Sequence, residues 1–192
     1  MGLREIVGSM QIGRQKKRME GRVLSFPADL QKPKHILVCL PEALRELTLV
    51  KQFLPTITHL FKPADITLLA LPGVKVHDIY PRKGFQILTP AMDQVSWSGL
   101  PKKSYLAMLA DHKFDTILDM NLKQSLFTST DLLCFPEAVR IGRGNHLGPP
   151  FYNLEIKTKY LRDERNIYRS LLSTLGIVMN KSVEGLSPLT AY

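Results

Sequence analysis

Cysteine and histidine are scarce in this chain and are not arranged for metal or disulfide chemistry. The 192 residues include two cysteines, Cys39 and Cys134, whose positions in apolar runs fit neither a disulfide framework nor a metal-binding spacing. Both are expected to be small buried side chains. The five histidines are scattered, without the His-x-x-x-His pair that is typical of zinc sites. The sequence therefore predicts no metal site and no cofactor.

Long apolar runs are missing as well. The longest, at residues 35–40 and 66–71, fall far short of the roughly 20 residues that a membrane-spanning helix needs. Residues 1–30 contain basic clusters but no uninterrupted apolar core and no small-residue cleavage site, so no secretory signal is recognisable. A cytoplasmic location is therefore predicted. No Gly-x-Ser-x-Gly nucleophile elbow occurs either.

Positive charge is concentrated at the start of the chain. The formal net charge is +9, and residues 1–34 carry eight basic against three acidic side chains, a net charge of +5. Such a segment attracts phosphate-rich surfaces, either nucleic acid or an anionic membrane, through an interaction that salt weakens. A basic arm that only keeps the chain in solution is the alternative. Because no aromatic pattern suited to stacking bases interleaves this segment, nucleic-acid binding is not expected.

Strand and helix patterns alternate through the remainder of the chain. The uninterrupted apolar run at residues 36–40 predicts a buried parallel strand, and apolar residues at three- and four-residue spacing over 44–54 predict a helix that Pro55 kinks or ends. A second strand is predicted at residues 65–71. Further strands are predicted at 85–88, 116–119, 138–141 and 154–156, and helices at 103–112, 122–135 and 160–175, the last with Gly176 as its C-cap.

This alternation predicts an α/β fold, a Rossmann-like, mostly parallel sheet with helices on both faces, because strand–helix–strand crossovers are nearly always right-handed. The predicted domain covers residues 34–178. Residues 1–33 are predicted to be a basic, flexible N-terminal extension, and residues 179–192 a C-terminal tail.

Polar and charged side chains follow several of the predicted strands. Asp119 ends one strand, and Arg140 belongs to another that leads into a Gly142-Arg143-Gly144-Asn145 turn. Ligands of open α/β sheets bind at the carboxyl ends of the strands, where arginines and Lys123 would hold a phosphate or a carboxylate. A single Gly-x-Gly without a third glycine and a following helix is also typical of a structural turn, and capping a helix is the alternative role for Asp119.

Several short stretches, in this order, resemble a known family. Residues 34–38 (Lys-His-Ile-Leu-Val), 114–121 (Phe-Asp-Thr-Ile-Leu-Asp-Met-Asn), 140–143 and 151–154 resemble the N-terminal half of glycosyltransferase family 9, the lipopolysaccharide heptosyltransferases. The helix ending Leu175-Gly176-Ile177 resembles the segment that leads into the second half of these enzymes. The resemblance implies one half of a GT-B arrangement, in which the N-terminal domain receives the acceptor and the C-terminal domain holds most of the nucleotide-sugar.

The sequence departs from this family after the first strand. Family members have a glycine-containing turn that ends in Gly-Asp, and the Asp acts as general base on the acceptor hydroxyl. Here Arg45 stands for the glycine and Glu46 for the aspartate. Glu46 is the candidate catalytic residue, although a base misplaced by about 1 Å loses roughly a hundredfold in rate. Alternatively, Glu46 lies on a helix and pairs with neighbouring lysine or arginine side chains. The candidate ligand-binding residues are Arg45, Asp119, Asn121, Lys123, Arg140 and Arg143.

Length is the second departure, because the 15 residues after Ile177 are too few for a second domain of similar size. The sequence therefore favours a truncated, degenerate, non-catalytic glycosyltransferase-like binding or interaction module, without activity as an isolated chain. One alternative is a heptosyltransferase-like acceptor-domain subunit, active in lipopolysaccharide biosynthesis only with a separate donor domain. Another is a nucleic-acid or anionic-membrane binder acting through the basic tail.

The resemblance also suggests partners. The flank that a second domain covers in the family is expected to be open here, which favours a homodimer or a partner chain. A phosphate-bearing ligand and an anionic membrane surface are the other expected partners. The corresponding location is the cytoplasm, with peripheral association at the inner membrane.

Overall fold

The structure, a computed structural model, describes residues 3–17, 23–80, 84–143 and 151–182. These residues form an open six-stranded parallel sheet with the strand order β3-β2-β1-β4-β5-β6. The predicted α/β, Rossmann-like fold is confirmed. The strands are β1 (His35–Cys39), β2 (Asp65–Leu69), β3 (Gln86–Leu88), β4 (Thr116–Asp119), β5 (Val139–Arg143) and β6 (Leu154–Ile156). The helices are α1 (Leu3–Lys16), α2 (Ala28–Gln31), α3 (Leu44–Phe61), α4 (Lys103–Ala110), α5 (Leu126–Leu133) and α6 (Glu164–Val178), with a 3-10 turn at Met92–Gln94.

Two apolar cores lie on opposite faces of the sheet. Successive side chains of a strand point to opposite faces, so Ile36 and Val38 of β1 enter one core while Leu37 and Cys39 enter the other. Helices α3 and α6 close the first core, and α1, α4 and α5 contribute to the second. Burial on both faces explains why the β1 sequence is an uninterrupted apolar run.

Helix α3 continues through Pro55, where the sequence predicts a kink or an end. Pro55 is on the exposed side of the helix, whereas Ile57, Leu60 and Phe61 beyond it are fully buried in the first core. An internal proline costs a helix about 3 kcal/mol, but burying each of these large apolar side chains contributes about 1.5–3 kcal/mol. Tertiary packing therefore outweighs the local preference of proline.

Helix α6 ends three residues later than predicted. Gly176 is still helical, and the left-handed residue beyond the helix is Asn180, with φ of 54°. The Lys181 amide donates to the Gly176 carbonyl at 2.9 Å and the Asn180 amide to the Ile177 carbonyl at 3.1 Å, which is the Schellman pattern. Asparagine tolerates the left-handed conformation that such an end requires, so it takes the role expected of Gly176.

Part of the expected flexible extension is a helix. Residues Leu3–Lys16 form α1, which packs against α5 and buries Ile12 in the second core. Gly8 makes this approach possible, because a methyl group there would lie 2.9 Å from the Ser98 carbonyl oxygen. The domain boundaries at 33 and 178 remain predictions, and most of the tail 179–192 lies outside the described residues. No helix in the described parts of the chain has the length and apolar character to cross a membrane.

Gly142 is a strand residue, where the sequence predicts a turn. It lies inside β5, and the ring of Tyr152 occupies the space that a side chain at this position would take. Gly144 and Asn145 of the expected turn lie outside the described residues. The structural reason for a glycine at position 142 is therefore close packing against an aromatic ring.

Substituting Gly142 tests this packing. We expect Gly142→Ala to lower the free energy of unfolding by about 1–3 kcal/mol, because the added methyl overlaps the Tyr152 ring. Gly13→Ala is the matched control: its methyl meets nothing within 4 Å, and in a helix this change stabilises by up to about 1 kcal/mol. Urea unfolding of both variants measures the difference. Equal effects of the two substitutions would contradict the packing role of Gly142.

Candidate functional site

A cleft of about 410 Å³ opens at the carboxyl ends of β1 and β4. These neighbouring strands are where the strand order reverses direction, the position at which open α/β sheets bind ligands. The segment after β1 contributes one side of the cleft, and the segment after β4 contributes the other. The lining residues are Glu42, Ala43, Glu46, Leu71, Asn121, Lys123, Gln124 and Ser125.

Glu46 is largely buried, with 9% of its surface exposed, in the first turn of α3. Burial raises the pKa of Glu46, the nearby Lys123 lowers it, Glu164 raises it and Arg45 lowers it, with burial dominant. The positive end of the helix favours a carboxylate at this position. A carboxyl group with a raised pKa that borders a cleft is suited to exchanging a proton with a bound hydroxyl.

Asp119 is buried at the end of β4, with 3% of its surface exposed, and it does not line the cleft. The Tyr152 hydroxyl donates to its Oδ2 at 2.6 Å, and Asn121 donates to its Oδ1 from the backbone amide at 2.9 Å and from Nδ2 at 2.7 Å. Burial raises the pKa of Asp119, and these hydrogen bonds oppose the rise. Asp119 therefore acts mainly to position Asn121, which itself lines the cleft.

Arg45 lies beside the Glu46 cleft rather than in it. Its exposed guanidinium pairs with Glu164 at 2.9 Å. It lines a neighbouring depression of about 780 Å³ together with Arg162 and Arg165, at the start of α6. An exposed ion pair of this kind contributes little to stability, and a ligand-binding role for Arg45 remains a prediction.

Arg140 does not face a ligand, which corrects its place among the candidate binding residues. Only 1% of its surface is exposed. Its Nε donates to the Phe151 carbonyl at 2.9 Å, and its Nη1 donates to the carbonyls of Phe135 at 2.5 Å and Pro136 at 2.8 Å. The guanidinium therefore fastens the chain before β5 to the chain before β6, and its role is structural.

Arg143 ends β5 but does not line the Glu46 cleft. It is 8% exposed, and its Nη2 donates to the Tyr160 carbonyl at 3.3 Å. Its Nε has no hydrogen-bond partner within the residues that the structure describes. The segment that follows, 144–150, lies outside those residues, so a ligand-binding role for Arg143 remains a prediction.

The structure brings Glu46, Asn121 and Lys123 together and adds residues that sequence analysis does not single out. Gln124 and Ser125 line the cleft, and Ser125 also caps α5 by accepting from the Thr128 amide at 3.3 Å. The one feature of the sequence that could have pointed to them is their position in the segment that follows a buried strand. In the described ranges, no three His, Cys, Asp or Glu side chains are grouped as a metal site.

Comparisons with known proteins agree with the observed fold. No family model and no curated protein matches the chain. E. coli heptosyltransferase WaaC with ADP is similar to it, with a TM-score of 0.57 and 14% identity over 82% of this chain and 49% of that one. A glycosyl transferase family 9 structure from Veillonella parvula DSM 2008 has a TM-score of 0.52 and 17% identity over 82% and 44% of the two chains. At such identities the likeness shows the fold alone, and the chain spans about half the length of these neighbours.

The hydrogen bond between Tyr152 and Asp119 gives a pH-dependent prediction. We expect Tyr152→Phe to lower the free energy of unfolding by about 1–3 kcal/mol at neutral pH, because a buried carboxylate loses a donor. This donor lowers the folded-state pKa of Asp119, so without it the pKa rises further above the unfolded value. The loss should therefore grow as pH rises, and be smaller at about pH 4 than at about pH 8.

Urea unfolding at both pH values measures this loss. Tyr160→Phe is the matched control, because no hydrogen bond of the Tyr160 hydroxyl occurs within the described part of the chain. A deficit in Tyr152→Phe that is equal at both pH values would show that the hydroxyl does not stabilise the charged form of Asp119.

Proposed function

We propose that the protein is a glycosyltransferase-like binding module whose Glu46 cleft receives a saccharide. The observation that carries this proposal is that Glu46, Asn121 and Lys123 line one cleft at the switch point of the sheet. A carboxylate accepts hydrogen bonds, an ammonium donates them and an amide does both, which suits a ligand with many hydroxyl groups. The volume of about 410 Å³ is within the range of small-molecule sites.

The fold likeness to heptosyltransferases supports the acceptor side of such a reaction. The chain matches about half of each neighbour's length, and the resemblance of its sequence is to the half that receives the acceptor. Lys123 is exposed and borders the cleft, so it is placed to meet a phosphate or carboxylate on the saccharide. We therefore propose a phosphorylated or acidic sugar as the preferred ligand.

The segment after β1 favours binding without catalysis. Ala43 precedes α3 with φ of −72°, and both Arg45 and Glu46 are helical, so no tight glycine turn is present there. A base held on the first turn of a helix has a different position and direction from one presented by a turn. Because proton transfer requires the base within hydrogen-bond reach, a shift of about 1 Å is costly to catalysis but not to binding.

Backbone-amide NMR titration with a panel of free and phosphorylated aldohexoses and aldoheptoses tests the binding proposal. We expect shifts centred on Glu46, Asn121 and Lys123, with the phosphorylated sugars bound more tightly. Lys123→Ala should weaken binding of a phosphorylated sugar by roughly tenfold or more, because it removes the cation that meets the phosphate, and should weaken binding of the free sugar clearly less.

Lys51→Ala is the control, since Lys51 is exposed on α3 and does not line the cleft. Shifts spread evenly over the protein, or equal losses in the two lysine variants, would count against this cleft as the binding site.

A second candidate function is glycosyl transfer, with Glu46 as general base and a donor domain supplied separately. The raised pKa of the largely buried Glu46 favours it.

If the chain turns over a nucleotide-sugar together with a sugar acceptor, Glu46→Gln should lower kcat by roughly a hundredfold or more, because the amide cannot accept the proton. Asp93→Asn, at an exposed position, should leave the rate unchanged. Turnover that is the same in Glu46→Gln would exclude Glu46 as the base.

A further inference from the structure

A second groove, of about 510 Å³, lies between α1 and the segment that leads into α4. Its lining includes three cationic side chains, Arg14, Lys102 and Lys103, and none of the described lining residues is acidic. Uncompensated cations in a groove favour an anionic partner. This charge pattern differs from that of the Glu46 cleft, where acidic and basic side chains lie together.

The wall formed by α1 is held firmly against the rest of the molecule. Arg4 Nε donates to the Trp97 carbonyl at 2.6 Å, and Gly8 is packed against the Ser98 carbonyl. Ile12 is 5% exposed in the second core, and the Lys16 ammonium lies 5.5 Å from the centre of the Phe151 ring. The groove is therefore formed by packed elements, which fix the backbone positions that carry its cations.

Large apolar side chains are exposed beside this groove. Trp97, between the groove residues Ser96 and Ser98, is 61% exposed, and Met10, next to Gln11 of the groove, is 64% exposed. Ile6 is one helical turn before Met10 and is also exposed. The same helix carries Arg4, Arg14 and Lys16, and Lys17 follows its last residue. Exposed apolar side chains next to cations are the pattern of helices that lie in a membrane interface.

We propose that this face, defined as α1, the 96–103 segment and the groove between them, docks on an anionic lipid bilayer. A bilayer offers phosphates and hydrocarbon at the same surface, which matches cations and exposed apolar side chains together. In the docked state Trp97, Met10 and Ile6 enter the headgroup region, where tryptophan is favoured, and Arg14, Lys102 and Lys103 contact lipid phosphates. Nucleic acid fits this face less well, because it offers no hydrocarbon for Met10 and Ile6.

Fluorescence tests the proposal directly, because Trp97 is the single tryptophan of the chain. We expect vesicles that contain phosphatidylglycerol to shift its emission to shorter wavelength and to sediment the protein, and neutral phosphatidylcholine vesicles to do neither. High salt should weaken the binding. Each cation near an anionic surface raises the partition coefficient by roughly fivefold. The double variant Lys102→Gln with Lys103→Gln should therefore lower vesicle partitioning by at least about tenfold. Met10→Gln should lower it as well, because it replaces an exposed apolar side chain without changing the net charge.

The matched control is Lys51→Gln with Lys157→Gln, which removes the same charge from exposed positions outside this face and should leave partitioning nearly unchanged. Circular dichroism checks that each variant is folded. Equal losses in the two double variants, binding to neutral vesicles, or sedimentation without a change in Trp97 emission would overturn the proposal. Displacement of the protein from vesicles by inorganic phosphate, at an ionic strength at which sodium chloride leaves it bound, would assign the groove to a free anion and would overturn the proposal too.

Discussion

The buried carboxylate of Asp119 is the constraint on which the candidate site depends. A carboxylate with 3% exposure needs donors, and it finds them in Asn121, two residues along the chain, and in Tyr152, from the segment before β6. The Tyr152 ring reaches this position because Gly142 on β5 has no side chain. Gly142 on β5 thereby helps to fix the side-chain amide of Asn121, which lines the cleft at the ends of β1 and β4.

Three buried carboxyl groups, Asp119, Glu46 and Asp131, differ in the hydrogen-bond and charge partners that offset their burial. Asp119 is supplied with three hydrogen bonds, and Glu46 faces the charge of Lys123 across a cleft. Asp131 is fully buried in α5, and neither of its oxygens has a partner within the described residues. Burial raises the pKa of Asp131 well above its usual value, because the charged form loses its hydration. Of these three carboxyl groups, Glu46 is the one that combines a raised pKa with a position lining a cleft.

Local sequence patterns predicted the sheet well and the ends of the helices poorly. Thr116–Asp119 and Leu154–Ile156 form strands at the predicted residues, because short apolar runs between turns have few alternatives. Helix α3 passes Pro55 because residues far along the chain bury its last turns. In α1, the basic composition concealed the packing of Ile12, which depends on a glycine meeting a distant loop. Contacts of this kind are set by the tertiary fold and leave no local signal.

The candidate site residues also differ in whether local sequence or tertiary contacts decide their roles. Lys123 was found by a topological rule, since it follows a central strand at its carboxyl end, whereas Glu46 was found from the resemblance of the segment after β1 to a known family. The predicted strand at 138–141 puts Arg140 near its carboxyl end, but β5 spans Val139–Arg143. Arg140 therefore lies near the amino end of the strand, where the carbonyls of Phe135, Pro136 and Phe151 surround its guanidinium. The guanidinium of an arginine is free to bind a ligand only if the backbone carbonyls near it already accept hydrogen bonds from other donors. Where the backbone turns sharply beside the strand, unsatisfied carbonyls compete for the cation, and the side chain becomes part of the scaffold that holds β5 and β6 beside the cleft.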